Sequence, residues 1–135
     1  MNEQQLAYSF LLLAYRDYLA ARCLLNNGFF LQGLTLSSSA IEKYFKVILA
    51  LHGNRRKDMG VHLDRLSKLK ALLAECYYDV TLKLDDRFLG LLSKAYKIRY
   101  YDNLSTPITI SFFVNQLIGE LDYSLIEVLR SILII

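Results

Sequence analysis

Helix-breaking residues are scarce in this chain, and they fall between long segments whose apolar residues recur at three- and four-residue steps. One proline and six glycines occur in 135 residues, and Gly28, Gly53, Gly60 and Pro107 separate these segments. Such spacing places apolar side chains on one face of a helix, where they bury against neighbouring helices. No glycine-bounded segment shows sustained alternation with a period of two. The sequence therefore predicts an all-α, up-and-down helical bundle.

Five helices account for the apolar periodicity. They are predicted at about 3–26, 30–51, 63–76 and 86–100, and the fifth runs from Thr106–Pro107 towards the C-terminus. The inner face predicted for the first helix includes Leu13. The first helix ends at Gly28, which suits a left-handed C-terminal cap. Asp85 is a suitable N-cap for the fourth helix, and Thr106–Pro107 is a helix start signal. A chain of this length forms one domain, 1–135.

The composition favours association with other molecules. Hydrophobic residues make up 54% of the chain and charged residues 21%, which is more apolar than an average soluble domain. The surplus apolar surface predicts a partner, and a homodimer is the commonest form of oligomer. The net charge of +3 permits a phosphate-bearing ligand such as a nucleotide or RNA, but it is too small to require one.

Several classes of site and location are not expected. The N-terminal residues carry an acidic charge where a signal peptide has basic ones, which predicts a cytoplasmic protein whose two cysteines, Cys23 and Cys76, are reduced and buried. The uncharged stretches 23–41 and 103–119 contain polar residues and fall short of the ~20 apolar residues of a membrane span. Because no glycine-rich phosphate loop or metal-ligand motif occurs, no cofactor and no metal are predicted.

Charged residues interrupt the apolar second helix. Glu42 and Lys46 are four residues apart and Lys43 and Lys46 three apart, so each pair shares a helix face. One interpretation is a solvated helix edge whose ion pair contributes about 0.3–0.5 kcal/mol. The other is a polar site in which the lysines contact phosphate. Asp17 lies on an apolar stripe and needs a cationic partner if it is buried, so Asp17 and Arg99 could complete such a cluster.

Arg99 and the residues that follow it end the fourth helix. An arginine there is explained by the helix dipole alone. It could also grip a phosphate group while Tyr100 or Tyr101 stacks on a base. The candidate ligand-binding residues are therefore Asp17, Lys43, Lys46, Arg99 and Tyr100, and no catalytic residue is assigned.

The order of these features resembles the HEPN domain family (higher eukaryotes and prokaryotes nucleotide-binding). The matching residues are Ala14-x-x-Asp17-Tyr18-x-x-Ala21-x-x-Leu24-Leu25-x-x-Gly28-x-Phe30, then Ala40-x-Glu42-Lys43-x-x-Lys46, His62-Leu63-x-x-Leu66 and Arg99-Tyr100-Tyr101-Asp102. The resemblance implies an all-α bundle that is often a homodimer. Members are frequently encoded beside a minimal nucleotidyltransferase, as two halves of a toxin–antitoxin pair.

The ribonuclease branch of that family carries an Arg and a His with four to six residues between them, late in the bundle. In this chain no histidine follows Arg99 as far as Thr106. Arg56 and His62 have that spacing, but they precede the predicted third helix. The resemblance therefore implies a binding component without the usual ribonuclease motif. The alternative is a divergent metal-independent ribonuclease at a dimer cleft, with a tyrosine or Asp102 replacing the histidine.

Overall fold

The computed structural model describes residues 2–51, 66, 70, 84–98 and 113–134, with the backbone alone at 3, 96–98 and 131–134. These residues form four α-helices: α1 (Glu3–Asn26), α2 (Phe30–Leu51), α3 (Asp86–Ile98) and α4 (Val114–Ile134). No strand occurs in these ranges. The all-α prediction is therefore confirmed for the described part of the chain.

Local capping signals fix most of the helix ends. The first two predicted helices agree with α1 and α2 at both ends, and Gly28 between them has a φ of 81°. This positive φ is the left-handed conformation that glycine adopts without strain. α3 begins where predicted, because the Asp85 carboxylate accepts a hydrogen bond from the Arg87 N–H at 2.8 Å. Leu66 and Lys70, the described members of the predicted third helix, are both helical.

The start predicted for the last helix is wrong at Phe113. A continuous helix from Thr106–Pro107 would include Phe113, but this residue lies outside any helix and α4 begins after it. Its N–H donates to Gln116 Oε1 at 2.8 Å, and its carbonyl accepts the Leu117 N–H. These bonds satisfy backbone groups at a new helix terminus. Residues 106–112 lie outside the described ranges, and the five-helix up-and-down arrangement stays a prediction.

Small residues bring α1 and α2 close together. Ala7, Ala14 and Ala21 recur at seven-residue steps on α1 and are all buried, and α2 presents the buried Gly33 and Ala40. Interhelical distance depends on side-chain size at the contact, so this face permits a short one. The inner face predicted for α1 is wrong at one position, since Leu13 is 45% exposed. Hydropathy alone does not show that Ala14 is buried while the more apolar Leu13 beside it is exposed.

Substitution of Gly33 tests the close contact between α1 and α2. A Cβ at Gly33 would lie 2.8 Å from two side-chain atoms of the buried Leu25, so Gly33→Ala is expected to destabilise the fold by about 1–2 kcal/mol. A Cβ at Gly90 or Gly119 would meet no atom within 4 Å. Both lie inside helices, so alanine there is expected to stabilise by about 0.5–1 kcal/mol. Urea unfolding of the three variants measures this, and equal effects would refute a tight contact at Gly33.

α2 is the central helix of the described residues and contacts α1, α3 and α4. Tyr44, Phe45 and Ile48 of α2 are fully buried. Ser38 Oγ donates to the Leu92 carbonyl at 2.7 Å, which satisfies a buried hydroxyl between α2 and α3. α1 in turn contacts both α2 and α4.

Candidate functional site

Asp17, Ser39, Glu42, Lys43 and Lys46 form a polar seam along one side of the α1–α2 contact. Lys43 forms an ion pair with Asp17, and its ammonium also donates to Ser39 Oγ at 2.6 Å. Ser39 Oγ in turn donates to Asp17 Oδ2 at 2.7 Å. The Asp17 and Lys43 side chains are each 23% exposed. The three groups thus satisfy one another at the edge of the core and remain accessible to solvent.

The next turn of α2 carries the second pair of the seam. Lys46 Nζ lies 3.1 Å from Glu42 Oε1, and the two side chains are only 8% and 13% exposed. The same ammonium lies 5.8 Å from the centre of the Phe10 ring, within the range of a cation–π contact. Phe10 and Asp17 are seven residues apart on α1, so both lysines face the same side of that helix. Lys46 is therefore deeper and more enclosed than Lys43.

The structure brings three of the five predicted ligand-binding residues to one side of the bundle. Asp17 contacts Lys43 directly, and Lys46 lies one turn along α2. The prediction that Asp17 needs a cationic partner is confirmed, with Lys43 in that role. Arg99 and Tyr100 lie outside the described residues, so their place in the cluster stays a prediction. Because each lysine already contacts a carboxylate, a phosphate group would have to compete with Asp17 or Glu42.

A second polar cluster, which the sequence did not reveal, joins α1 to α4. The Tyr18 hydroxyl donates to Asp122 Oδ1 at 2.6 Å, and Arg22 Nε and Nη2 lie 3.2 and 3.3 Å from the two Asp122 oxygens. Burial, followed by the hydrogen bond to Asp122, raises the pKa of Tyr18 to about 12. Tyr18 therefore stays protonated and donates at neutral pH. The signal that could have found this cluster is Asp122 itself, an acid within an apolar helix.

Beside this cluster, α1 and α4 expose a set of large apolar side chains, here called the apolar ridge. It consists of Tyr8, Leu12, Tyr15 and Leu19 on α1 and Ile126 and Leu129 on α4. The α1 members follow three- and four-residue steps and so share one helix face. Tyr8 is 67% exposed and the others 39–49%. Large apolar patches on a protein surface mark sites that contact other molecules.

A pocket of about 300 Å³ opens within the ridge. Its lining comes from three helices: Tyr8, Leu11, Leu12 and Tyr15 of α1, Tyr44 of α2, and Leu125 and Leu129 of α4. Tyr44 is fully buried, and among the described residues its hydroxyl is the one buried side-chain polar atom with no hydrogen-bond partner. Burial raises the pKa of Tyr44, so its hydroxyl remains a donor across the neutral range.

In the part of the chain that the structure describes, no group of three His, Cys, Asp or Glu residues could hold a metal ion. None of the described helices is both long and apolar enough to cross a bilayer. The prediction that both cysteines are buried is wrong for Cys23, which is exposed on α1. Cys76 lies outside the described residues.

Comparisons with protein-family models, with curated proteins and with solved structures find no match to this chain. The polar seam and the apolar ridge are therefore the features from which a function can be inferred.

Proposed function

We propose that this chain is a HEPN-like binding protein that acts as a homodimer. It would also be one component of a two-protein, toxin–antitoxin type system with a minimal nucleotidyltransferase. The observation that carries the proposal is the apolar ridge, because six large apolar side chains lie exposed on two adjacent helices. Exposed apolar area of this extent is stabilised when another protein covers it. Protein binding is therefore the role that the described surface supports best.

The polar seam supports a binding role more than a catalytic one. Lys43 and Lys46 each form an ion pair with a carboxylate. A lysine ammonium attracts a phosphate group through its charge. The accessible part of the seam is the Asp17–Lys43 pair, so Lys43 is the residue that a nucleotide or RNA phosphate would reach. Arg99 would grip the same phosphate group, and Tyr100 would stack on a base.

Co-expression with the product of a neighbouring nucleotidyltransferase gene tests the two-protein system. The expected result is a complex that survives affinity purification, or a nucleotide added to a tyrosine and detected as a mass increase on the intact chain. Tyr100 and Tyr101 are the expected acceptors, because they follow Arg99 in the late-bundle motif. Replacing both with phenylalanine should then remove the added mass and leave the complex intact.

Two outcomes would contradict this assignment. Recovery of the unmodified chain alone, with a demonstrably active transferase present, would refute the two-protein system. RNA cleavage by the purified wild-type chain that is lost in Arg99→Ala would favour the ribonuclease alternative.

A further inference from the structure

The ridge residues of α1 have the spacing of a coiled-coil contact. Tyr8, Leu12, Tyr15 and Leu19, here called the heptad face, are separated by four, three and four residues, and all four are exposed. Alternating steps of three and four residues form the a and d positions of a heptad repeat, along which one helix packs against another. The buried alanines of α1 lie on a different face, against α2. α1 therefore carries a second helix-packing face.

The pocket beside Tyr44, here called the Tyr44 pocket, has the geometry of a coiled-coil hole. Its α1 lining is Tyr8, Leu11, Leu12 and Tyr15, which are residues i, i+3, i+4 and i+7. Four residues at this spacing form the hole that receives one a or d side chain of the facing helix. The pocket volume is about 300 Å³, and a cavity of about 150 Å³ already takes up benzene, so a whole aromatic ring fits.

A second copy of α1 is complementary to this face when it runs in the opposite direction. The four-three-four spacing reads the same from either end, so antiparallel copies align all four positions. Tyr8 then lies opposite Leu19 of the second copy, and Leu12 lies opposite Tyr15 of the second copy. Each layer contains one tyrosine and one leucine, and an a position meets a d position throughout. The tyrosine opposite Leu12 is the side chain that enters the Tyr44 pocket.

Charge also favours the antiparallel direction. The next heptad position after Leu19 is Arg22, whose side chain is 45% exposed. A parallel pair would place the two Arg22 side chains opposite each other and align both helix dipoles, and both arrangements are repulsive. An antiparallel pair separates the two arginines by about 25 Å along the helix axis and opposes the dipoles.

We infer that two copies of this chain pack their α1 helices antiparallel along the heptad face, with Tyr15 of each copy in the Tyr44 pocket of the other. The inference rests on the homodimer of the proposed function and specifies its arrangement. Burying a phenol ring in an apolar pocket removes apolar surface of both copies from water. Tyr15 is then the central side chain of the contact.

The exposed Cys23 is a native probe of the helix direction. It lies one residue beyond Arg22, and Cys76→Ser leaves it as the only thiol of the chain. A nitroxide on Cys23 allows the distance between the two labels of a dimer to be measured by electron spin resonance. Cys23 is nine to ten residues from the midpoint of the antiparallel pair, so about 30 Å is expected, against less than about 20 Å for a parallel pair.

Two alanine variants test the residue that fills the pocket, and both keep the native cysteines. Tyr15→Ala is expected to weaken self-association about 10–100-fold in sedimentation equilibrium, because it empties both pockets. Tyr123 is an exposed tyrosine of α4 outside the pocket lining. Tyr123→Ala makes the same change there and should leave the dissociation constant within about twofold of the wild-type value.

The outcomes separate this inference from the proposed homodimer. A dimer whose labels lie less than about 20 Å or more than about 45 Å apart would overturn the antiparallel arrangement and leave the homodimer standing. Equal weakening by Tyr15→Ala and Tyr123→Ala would do the same for the role of Tyr15. A wild-type chain that stays monomeric would refute the homodimer itself. If that monomer bound the nucleotidyltransferase, the heptad face would belong to that partner.

Discussion

Replacing both Leu12 and Leu19 with glutamate is expected to weaken self-association at least about 100-fold. Both leucines lie on the apolar ridge, where an isologous dimer would bury them against the second copy. Each glutamate would have to be desolvated without a cationic partner, and several kcal/mol of association energy would be lost. Sedimentation equilibrium over a range of protein concentrations measures the change in dissociation constant.

The adjacent residues of the same helix provide a matched control. Leu13 is as exposed as Leu12, at 45% against 40%, and Ala20 is also exposed, but neither belongs to the ridge. Leu13→Glu combined with Ala20→Glu adds the same charge to α1 and should leave the dissociation constant within about twofold of the wild-type value. A wild-type chain that stays monomeric at all concentrations, or equal weakening by both double variants, would refute the ridge as the dimer surface.

Removing Lys43 is expected to destabilise the fold, because it breaks the Asp17–Lys43 pair of the polar seam. Lys43→Ala leaves the Asp17 carboxylate with Ser39 as its remaining seam partner, and a loss of about 2–3 kcal/mol in unfolding free energy is expected. Asp17→Ala should cost less, since the lysine ammonium sits on a flexible stem that can reach water. The double variant should recover part of the loss, with a coupling energy of about 1–2 kcal/mol in urea unfolding.

A more exposed ion pair provides a reference for the loss expected from the Asp17 and Lys43 variants. Arg22 pairs with Asp122 between α1 and α4, and its side chain is 45% exposed. Exposed ion pairs contribute about 0–1 kcal/mol, so Arg22→Ala should cost less than Lys43→Ala. Additive effects of the Asp17 and Lys43 substitutions would mean that the pair does not stabilise the fold. Lys43 would then be better explained as a ligand contact.

The sequence was sufficient to predict α1, α2 and the start of α3 because these helix ends are set by nearby residues. Gly28 provides a left-handed turn and Asp85 an N-cap, and both act within a few positions of the helix they bound. The start of α4 was missed for a related reason. Phenylalanine is not a residue type that favours the N-cap, so Phe113 gave no sign of a helix start. The start of α4 is fixed instead by the side chain of Gln116, three residues later, which accepts the Phe113 N–H.

Contacts between distant residues were only partly predictable. An acid on an apolar stripe implies a cation, which led correctly from Asp17 to the lysines of α2. Periodicity does not say which distant residue an acid meets, so the Tyr18–Asp122 hydrogen bond was not foreseen. The ridge was missed because α1 carries two apolar series, and hydropathy alone does not show which one is buried.

The close alanine and glycine contact between α1 and α2 also affects the order in which the molecule is assembled during translation. These two helices are joined by only three residues, 27–29, so their contact involves little loop-closure entropy and forms rapidly. α4 is the last of the described helices to leave the ribosome, yet it supplies one wall of the Tyr44 pocket and part of the ridge. If the ridge is the dimer surface that we propose, an unfinished chain lacks part of it, and nascent copies on one polysome are not expected to pair before α4 has formed.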